Sequence, residues 1–333
     1  MVNKLALLLR EFYTGFIHLF VSVCTLALVL ICALSCFGLH SRIAELCCHF
    51  MVACLYGAVI LTGLVVFDAI AFKRRLRIAI LNFVLLITVL GFVINRVEPL
   101  WSRVDIAPGS YNLTLLHANI WGRLNFDHET LFKQIAATKP DIIVVSELTG
   151  KWSTLITDKL KDTYPYSFAR PAHGLGIYSK YPLETSDLRK IKYQSRARIL
   201  ARVKHPDVGS VTILVAHPVN PVGAPNNLAA RNEEFLLYPQ ELSSTGDPAI
   251  LVGDLNCTPW SPYFDKLIKD GNLKDSERGF GLQPSWPGVV VPPLLPIDHV
   301  LVSQSIEVKE RRMLAPFGSD HLPLLVKLKV GTK

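Results

Sequence analysis

Residues 249–256 read AILVGDLN, an apolar strand-like run that ends in a glycine, a carboxylate and a carboxamide. A Ser-Asp-His triplet at 319–321 precedes a second strand-like run, residues 322–328. Both motifs lie where a strand meets a loop, and catalytic side chains are often presented at such positions by a rigid scaffold. Together they supply two carboxylates, a carboxamide and an imidazole. This set suits an attack of water on phosphorus assisted by Mg²⁺, a cation that prefers oxygen ligands.

Further motifs follow each other along the chain between these two. They are strand-like runs that end in Asn119, in Glu147 and in His217, a Gly-Leu-Gly turn at 174–176, and an Asp-His pair at 298–299. Several motifs in one fixed order are far more specific than any one alone. Over about residues 110–330, this order resembles the endonuclease/exonuclease/phosphatase superfamily.

The resemblance implies an α/β fold, a four-layer α/β sandwich in which two mixed β-sheets are flanked by helices. The residues themselves favour strands at 112–119, 141–146, 175–179, 197–204, 210–216, 249–253, 297–302 and 322–328. Helical patterns occur near residues 127–138, 226–243 and 260–269. So many strands exceed a simple single sheet. We therefore expect residues 111–333 to form one catalytic domain of this architecture.

The resemblance also implies a set of metal ligands. Glu147, at the end of a buried run, is expected to be the principal ligand of Mg²⁺, with Mn²⁺ as the alternative ion. Asn119 and Asp320 are expected to complete the oxygen shell, directly or through water. Apurinic endonucleases carry an acidic residue where this chain has Trp121, which puts further metal contacts from that loop in doubt. No organic cofactor is implied.

Catalytic roles follow from the same resemblance. Asp254 is expected to position and deprotonate the attacking water, and Asn256 to orient that water or hold a phosphoryl oxygen. His321 is expected to bind the phosphoryl group and stabilise charge, fixed by Asp298 on its other ring nitrogen. His217 stands where the family has a His or Tyr that contacts the phosphate.

Three residues are candidates for substrate binding, each with a structural alternative. His173 either lines the pocket or is a plain loop residue. Arg231, at a predicted helix start, either contacts phosphate or faces solvent. Trp286 lies in a Ser-Trp-Pro that is similar to the family's Thr-Trp-Pro, and it either walls the site or anchors its loop. His117 and the histidine at 299 alternate with apolar neighbours and are interpreted as structural.

The first hundred residues carry the excess apolar content of a chain that is 50% hydrophobic, with a mean hydropathy of +0.33. Three stretches there lack Asp, Glu, Lys and Arg: 12–41, 46–67 and 78–95. Each approaches or exceeds the roughly 18–20 residues that cross a bilayer core. A cleaved signal peptide does not explain three such stretches. We expect a membrane anchor at 1–97, with transmembrane helices at about 13–39, 48–70 and 77–95, followed by a linker at 98–110.

The basic residues predict an orientation for the anchor. Lys73, Arg74, Arg75 and Arg77 crowd the link between the second and third spans, whereas the first link has only Arg42 beside an acid. Because basic loops stay in the cytoplasm, the second link is expected inside. The catalytic domain is then expected on the extracytoplasmic face of the cell membrane.

The net charge of +8 does not by itself indicate nucleic acid. Residues 1–104 hold nine of the 35 basic and four of the 27 acidic side chains, so much of the excess is a topological signal. Residues 189–204 form a local exception, with seven basic residues and no acid. We interpret their alternating arginines as a solvated strand face, with a strip facing phosphate or anionic lipid as the alternative.

A catalytic domain tethered by three spans works near a bilayer, which favours a lipid-linked phosphate. The arrangement also resembles bacterial membrane phosphatases associated with glycopeptide resistance. The expected function is a membrane-anchored, Mg²⁺-dependent phosphoesterase that hydrolyses a phosphate ester or diphosphate near the outer membrane face. Its partners would be the bilayer and a phosphorylated, lipid-linked substrate.

Two alternatives remain open. One is an outward-facing endonuclease or exonuclease acting on DNA or RNA, which requires an extended basic surface and is therefore the less favoured partner class. The other is a catalytically silent binding protein with the same fold. The sequence implies no protein partner.

Overall fold

A computed structural model describes residues 2–72, 76–101, 109–190, 196–289 and 292–331. The chain divides into two compact units, Met1–Glu98 and Pro99–Lys333. The basic residues at 73–75 and most of the predicted linker, residues 102–108, lie outside the described residues.

The first unit is helical. Its helices are α1 (Val2–Ser35), α2 (Arg42–Cys48), α3 (Met51–Phe72) and α4 (Leu76–Val97). Three segments are long and apolar enough to cross a membrane: Gly15–Ser35, Met51–Ile70 and Leu76–Leu100. The short helix α2 was not expected from the sequence. It begins at Ser41, whose side chain accepts a hydrogen bond from the backbone N–H of Ala44.

A small set of polar side chains is buried between the three long helices. Nε2 of His18 lies 3.2 Å from Oδ2 of Asp68, and both residues are buried. Asn82 donates a hydrogen bond of 2.9 Å to the hydroxyl of Ser22. These contacts join α1 to α3 and to α4, because each pair has one member on α1. Polar contacts of this kind between apolar helices contribute to their association.

The second unit is an α/β domain, and a short 3₁₀ turn at Glu98–Leu100 precedes its first strand. Its strands are β1 (Leu113–Asn119), β2 (Ile142–Leu148), β3 (Tyr166–Arg170), β4 (Gly174–Ser179), β5 (Leu183–Arg189), β6 (Arg198–His205), β7 (Gly209–Val215), β8 (Ala249–Asp254), β9 (Leu273–Asp275), β10 (Asp298–Ser303), β11 (Ile306–Met313) and β12 (Leu324–Val330). Its helices are α5 (His128–Thr138), α6 (Gly150–Leu160), α7 (Asn227–Phe235), α8 (Tyr238–Ser243) and α9 (Pro262–Asp270).

The strands form two six-stranded sheets. The first has the order β11-β12-β1-β2-β4-β3, and the second has the order β5-β6-β7-β8-β10-β9. Each sheet has one parallel pair at its centre, β1 with β2 and β7 with β8, and its other pairs are antiparallel. Both sheets are therefore mixed, as the resemblance implied.

The sheets pack face to face over one apolar core. Leu115 and Val144 of the first sheet belong to the same buried cluster as Ile213 and Val252 of the second. Two further clusters cover the outer faces: α5 and α6 pack on the first sheet, and α7, α8 and α9 pack on the second. The resulting four-layer α/β sandwich confirms the predicted fold class.

Some elements differ from the expectation. The helical pattern at 226–243 forms two helices, because Pro239 at the start of α8 has no N–H to continue the ladder from α7 and its ring excludes a continuous helix. Helix α6 and the strands β3, β5, β9 and β11 were not predicted. The burial pattern of β5 mixes intermediate and exposed positions without the strict alternation that marks a strand in sequence.

Candidate active site

The topology brings the predicted residues to one edge of the sandwich. Asn119 ends β1, Glu147 lies next to the end of the parallel strand β2, and Asp254 ends β8. Asp298 begins β10 directly opposite Asp254 in the antiparallel register. His321 and its neighbour at 320 lie just before β12, which pairs with β1. Residues up to 202 positions apart in sequence therefore come within contact distance.

The backbone of this edge is locally strained. Trp121, Glu147 and Asn256 are three of the five non-glycine residues with positive φ in the described part of the chain, with φ of 50°, 57° and 50°. Such conformations cost free energy and often mark functional sites. The backbone of Glu147 packs closely against Gly122. A Cβ on this glycine would lie only 2.1 Å from the Glu147 carbonyl oxygen, so this position has room for glycine alone.

Two histidines hold Asp298 from opposite sides. Nδ1 of His321 donates to Oδ2 of Asp298 at 2.8 Å, and Nδ1 of His117 lies 3.2 Å from Oδ1. The other ring nitrogen of His117 contacts the hydroxyl of Ser146 at 3.1 Å. Asp298 and His117 are fully buried. This arrangement agrees with the expected pairing of Asp298 with His321 and fixes the imidazole's orientation.

The buried charges set the protonation of this group. Burial opposes charge on His321, but the carboxylates of Asp298 and Asp254 outweigh it and raise the pKa of His321 to about 10. Burial likewise opposes charge on Asp298, yet His321 and His117 hold the pKa of Asp298 well below its usual range. His321 is therefore an imidazolium at neutral pH, with Nε2–H available to an anionic ligand.

Asp254 lies at the centre of the cluster. Its Oδ2 is 3.7 Å from Nε2 of His321 and 3.4 Å from Nε2 of His217, and its Oδ1 accepts from the backbone N–H of Asn256 at 2.9 Å. Burial, against the pull of His321, raises the pKa of Asp254 to about 6. A carboxylate with this pKa is suited to accept a proton from water near neutral pH.

Asn119 joins Asp254 to Glu147. Its side-chain nitrogen donates to Oδ2 of Asp254 at 3.0 Å and to Oε1 of Glu147 at 3.3 Å. Its side-chain oxygen accepts from the backbone N–H of Trp121 at 3.1 Å. The amide therefore bridges the two carboxylates here, and its part in a metal's oxygen shell stays a prediction.

The carboxylates fit a hard cation. Glu147 faces the cleft described below, and Oδ1 of Asp320 is buried without a hydrogen-bond partner in the protein. Oδ2 of Asp320 accepts from Nε1 of Trp286 at 3.0 Å, which holds the carboxylate in place. An unpaired buried carboxylate oxygen is costly unless a cation or proton meets it. Glu147 and Asp320 are thus the residues that would hold Mg²⁺.

His217 is held next to a cation. Nη1 of Arg196 lies 3.1 Å from Nδ1 of His217. Burial and the Arg196 guanidinium lower the pKa of His217 well below its usual value. His217 is therefore neutral at neutral pH, in contrast to His321. It can accept from Arg196 and face Asp254 through its other nitrogen.

Arg231 does not reach the cleft, so its assignment to substrate binding is wrong. The residue is fully buried, and its Nη1 donates to the backbone carbonyl of Asn256 at 2.8 Å. Its Nε and Nη2 donate to the side-chain oxygen of Asn232 at 3.0 and 2.8 Å. The alternative of a solvent-facing arginine is wrong for the same reason. Arg231 instead stabilises the left-handed turn at Asn256, whose side chain donates to the carbonyl of Pro218.

A cleft of about 1000 Å³ opens beside Glu147. His173 lines it, as expected, together with Trp121 and Leu124. Three cationic residues also line it: Arg123, Lys190 and Arg196. Glu147 is the single carboxylate among the described lining residues. The cleft is therefore lined by both cationic and apolar side chains.

The basic stretch at 189–204 does not form one solvated face. Arg198 is buried in a bidentate pair with Glu241, and Arg202 pairs with Asp247. Arg196, by contrast, points to His217 and the cleft. The alternating pattern in the sequence could not separate these roles, because the acids that form bidentate pairs with Arg198 and Arg202 come from the distant segment 241–247.

Sequence reasoning missed three supporting residues. His117 was interpreted as structural but contacts Asp298 directly. The hydroxyl of Ser319 donates to the carbonyl of Asn119 at 2.7 Å and accepts from the N–H of His321 at 3.1 Å. The hydroxyl of Ser285 accepts from the N–H of Asp298 at 3.2 Å. For the two serines, the only signal in the sequence was their position within motifs.

A second buried acidic group consists of Asp275 and Glu277 with His299. Arg311 stands beside it, with Nη2 3.7 Å from Oε2 of Glu277. Burial raises the pKa of Glu277 to about 7, against the pull of Arg311. Nε2 of His299 donates to the carbonyl of Cys257 at 2.8 Å. With a cation already in contact, we interpret this group as structural.

The fold, the strand-end residues and the sequence agree on one class of protein. A sequence model described as the Endonuclease/Exonuclease/phosphatase family matches residues 116–321. The chain therefore belongs to this family, whose members are metal-dependent phosphoesterases or nucleases. No curated protein matches it in sequence.

Solved structures share the fold at low sequence identity. The mannosyl-6-phosphatase Bt3783 of Bacteroides thetaiotaomicron has a TM-score of 0.52 and 19% identity, covering 65% of this chain and 99% of that one. TDP2 of D. rerio, complexed with single strand DNA product, has a TM-score of 0.53 and 14% identity, covering 65% and 98%. Sphingomyelinase C of Streptomyces griseocarneus has a TM-score of 0.50 and 16% identity, covering 66% and 99%. At such identities the likeness supports the fold and not a substrate.

Proposed function

We propose that this protein is a membrane-anchored, Mg²⁺-dependent phosphoesterase that hydrolyses a phosphate ester or diphosphate of a lipid-linked substrate. One observation supports the chemistry above all others: the convergence of Glu147 and Asp320 with Asp254 and the His321–Asp298 pair at one strained edge. A domain used only for binding has no need for this set of oxygen ligands, base and imidazolium together. The catalytically silent alternative is therefore disfavoured.

Each residue has a role that follows from its surroundings. Asp254, with a pKa raised to about 6, orients the attacking water and accepts its proton. His321 donates Nε2–H to a phosphoryl oxygen and balances the charge that develops there, while Asp298 keeps the ring oriented. Neutral His217 and Asn256 complete the wall around the phosphoryl group. A bound Mg²⁺ would supply Lewis-acid neutralisation of the phosphoryl charge.

Three apolar helices support a lipid-linked substrate. Segments of 21, 20 and 25 residues are each long enough to cross a bilayer core. A catalytic domain attached to such an anchor meets membrane-bound phosphates far more often than soluble ones, because tethering raises the local concentration of one for the other. Among the structural neighbours, Sphingomyelinase C is named for a lipid substrate and Bt3783 for a sugar phosphate.

The alternative of a nuclease has one observation in its favour, which is the presence of Arg123, Lys190 and Arg196 in the lining of the cleft. TDP2 was solved with a DNA product. A nuclease that binds several consecutive phosphates requires an extended basic surface. Here Arg189, Arg198 and Arg202 are paired with acids, so the described part of the 189–204 stretch does not form a continuous strip of unpaired cations. We therefore rank the nuclease second.

The test is hydrolysis by the full-length protein in nanodiscs with Mg²⁺, using a lipid diphosphate, a soluble phosphodiester and plasmid DNA. We expect the lipid diphosphate to be the best substrate. Glu147→Gln should lower turnover about 100- to 1,000-fold, because one electrostatic stabiliser is removed. Glu129→Gln, on the exposed surface of α5, is the matched control. Near-normal turnover of Glu147→Gln at saturating Mg²⁺ would refute the ligand assignment.

The expected orientation has its own test. A reporter fused after Lys333 should be active only in the form that works outside the cytoplasm, and neutralising Lys73, Arg74, Arg75 and Arg77 together should scramble the orientation. A cytoplasmic reporter in the unmodified protein would overturn the outward assignment and would favour a substrate of the cytoplasmic leaflet or a nuclease.

A further inference from the structure

Four large apolar side chains are exposed on the loops around the cleft. Leu124 and Phe126, 59% and 71% exposed, follow β1. Val222, 69% exposed, follows β7, and Val289, 68% exposed, precedes β10. Single exposed apolar residues are ordinary, but several around one opening mark an interaction surface. We call these four residues the apolar rim.

Contacts with the active site place each of these loops at its edge. Leu124 lines the cleft together with Glu147. The loop of Val222 is joined to the site where Nδ2 of Asn256 donates to the carbonyl of Pro218 at 3.1 Å. The loop of Val289 is joined to it where the N–H of Gly288 donates to the carbonyl of Asp320 at 2.6 Å. The apolar rim therefore belongs to the mouth of the active site.

Cations accompany the apolar rim. Nζ of Lys151 lies 5.6 Å from the ring centre of Phe126, and Arg123 adjoins Leu124. Lys190 and Arg196 line the cleft. No carboxylate in the described part of the chain forms an ion pair with any of these four cations. By contrast, Arg198 pairs with Glu241 and Arg202 pairs with Asp247.

The start of the second unit is tied to the loop that precedes Ser285. The second unit begins at Pro99, directly after α4, and the carbonyl of Leu100 accepts from the N–H groups of Gly279 and Gly281 at 2.9 and 2.8 Å. Trp101 contacts Gly281, because a Cβ on this glycine would lie 3.0 Å from its Nε1. This loop leads to Ser285, which holds the backbone of Asp298.

We infer that the apolar rim and its cations dock the mouth of the active site onto an anionic lipid bilayer, with the apolar side chains inserted among the acyl chains and the cations at the headgroups. Apolar tips next to unpaired Lys and Arg are the combination that binds an anionic interface. The inference rests on the proposed membrane anchoring. It implies that a lipid-linked phosphate enters the cleft without leaving the bilayer.

The direct test is the depth of residue 126 in full-length protein in nanodiscs of phosphatidylcholine and phosphatidylglycerol. Subtracting the wild-type spectrum from that of Phe126→Trp isolates the added indole from the five native tryptophans. We expect blue-shifted emission that lipids brominated in their acyl chains quench. Tyr166→Trp is the matched control, because Tyr166 is a 40% exposed aromatic residue that pairs with Ser179 at the opposite edge of the first sheet.

Three results would overturn the inference. One is emission from a water-exposed indole that brominated lipids do not quench. Another is a blue shift that depends on protein density in the membrane and not on lipid, which would indicate a second copy of this chain as the partner. The third is a shift that appears only when an oligonucleotide is added, which would indicate nucleic acid.

Activity supplies the second measurement. Phe126→Ser with Val289→Ser should lower kcat/KM for a nanodisc-embedded lipid diphosphate about tenfold more than for a soluble phosphodiester, because each inserted side chain favours the bilayer. Arg123→Gln with Lys151→Gln should remove any preference for phosphatidylglycerol-containing discs. Equal losses on embedded and soluble substrates would contradict docking. If wild-type protein hydrolyses no phosphoester at all, the proposed function fails, and the fluorescence measurement still decides the docking.

Discussion

Two buried His–Asp pairs in this molecule have similar geometry and different surroundings. In the helical unit, His18 and Asp68 approach to 3.2 Å. In the α/β domain, His321 and Asp298 approach to 2.8 Å. The first pair lies beside apolar residues such as Val21 and Val65, with Asn82 as a polar neighbour. The second has a further carboxylate and a further histidine in contact with it.

The difference shows that a buried His–Asp contact by itself says little about function. The His18–Asp68 pair joins two helices and faces a space of only about 10 Å³, too small for a ligand. The His321–Asp298 pair leaves Nε2 of His321 directed to Asp254 and beside Asn119, at an edge where the backbone is strained. Function depends on what the second ring nitrogen of the histidine contacts.

The largest effect is expected from breaking the site pair. His321→Ala should lower turnover about 100- to 1,000-fold. The double variant with Asp298→Ala should be about equally impaired, because groups that act as a unit are grossly non-additive when removed. Kinetics of the two single variants and the double variant check this. If Asp298→Ala cost the same factor in wild-type and His321→Ala backgrounds, the two residues would act independently.

A smaller effect is expected at His117, which supports Asp298 from the other side. His117→Phe should lower turnover about tenfold, because residues that orient a functional group usually contribute at this level. The substitution should have almost no effect in the His321→Ala background. His117→Gln, which can still donate to Asp298, should recover much of the activity. A loss that is the same in both backgrounds would assign His117 to the stability of the fold alone.

The smallest effect on turnover is expected in the helical unit. Asp68→Asn should leave kcat and KM unchanged and should lower the stability of the helical unit by about 1 kcal/mol, the typical contribution of one polar contact between membrane helices. Thermal unfolding in detergent checks the stability. Thr88→Val is the control, because the Thr88 hydroxyl bonds only within its own helix, to Val84. A large loss of turnover in Asp68→Asn would contradict the assignment of a purely structural role to the His18–Asp68 pair.

The side chains that meet at the candidate site could be predicted from the sequence because they lie in short motifs at strand ends. Asn119, Glu147, Asp254 and His321 are each one or two residues from an apolar run, and local pattern is sufficient to find such positions. Arg231 could not be placed this way. Its pattern is that of a helix start, and only the packing of α7 against the loop at Asn256 buries it.

By itself, the sequence determined the family, the four-layer fold and three apolar segments long enough to cross a membrane, because periodicity, motif order and uncharged length are local properties. The tertiary structure alone decided which of the similar residues are available to a ligand. Arg196 is available and Arg198 is not, since the acid that pairs with Arg198 lies 43 residues away in sequence. His117 became part of the site because β1 and β10, distant in the chain, meet where the two sheets pack. Contacts between distant segments depend on the whole fold, and no window of sequence contains them.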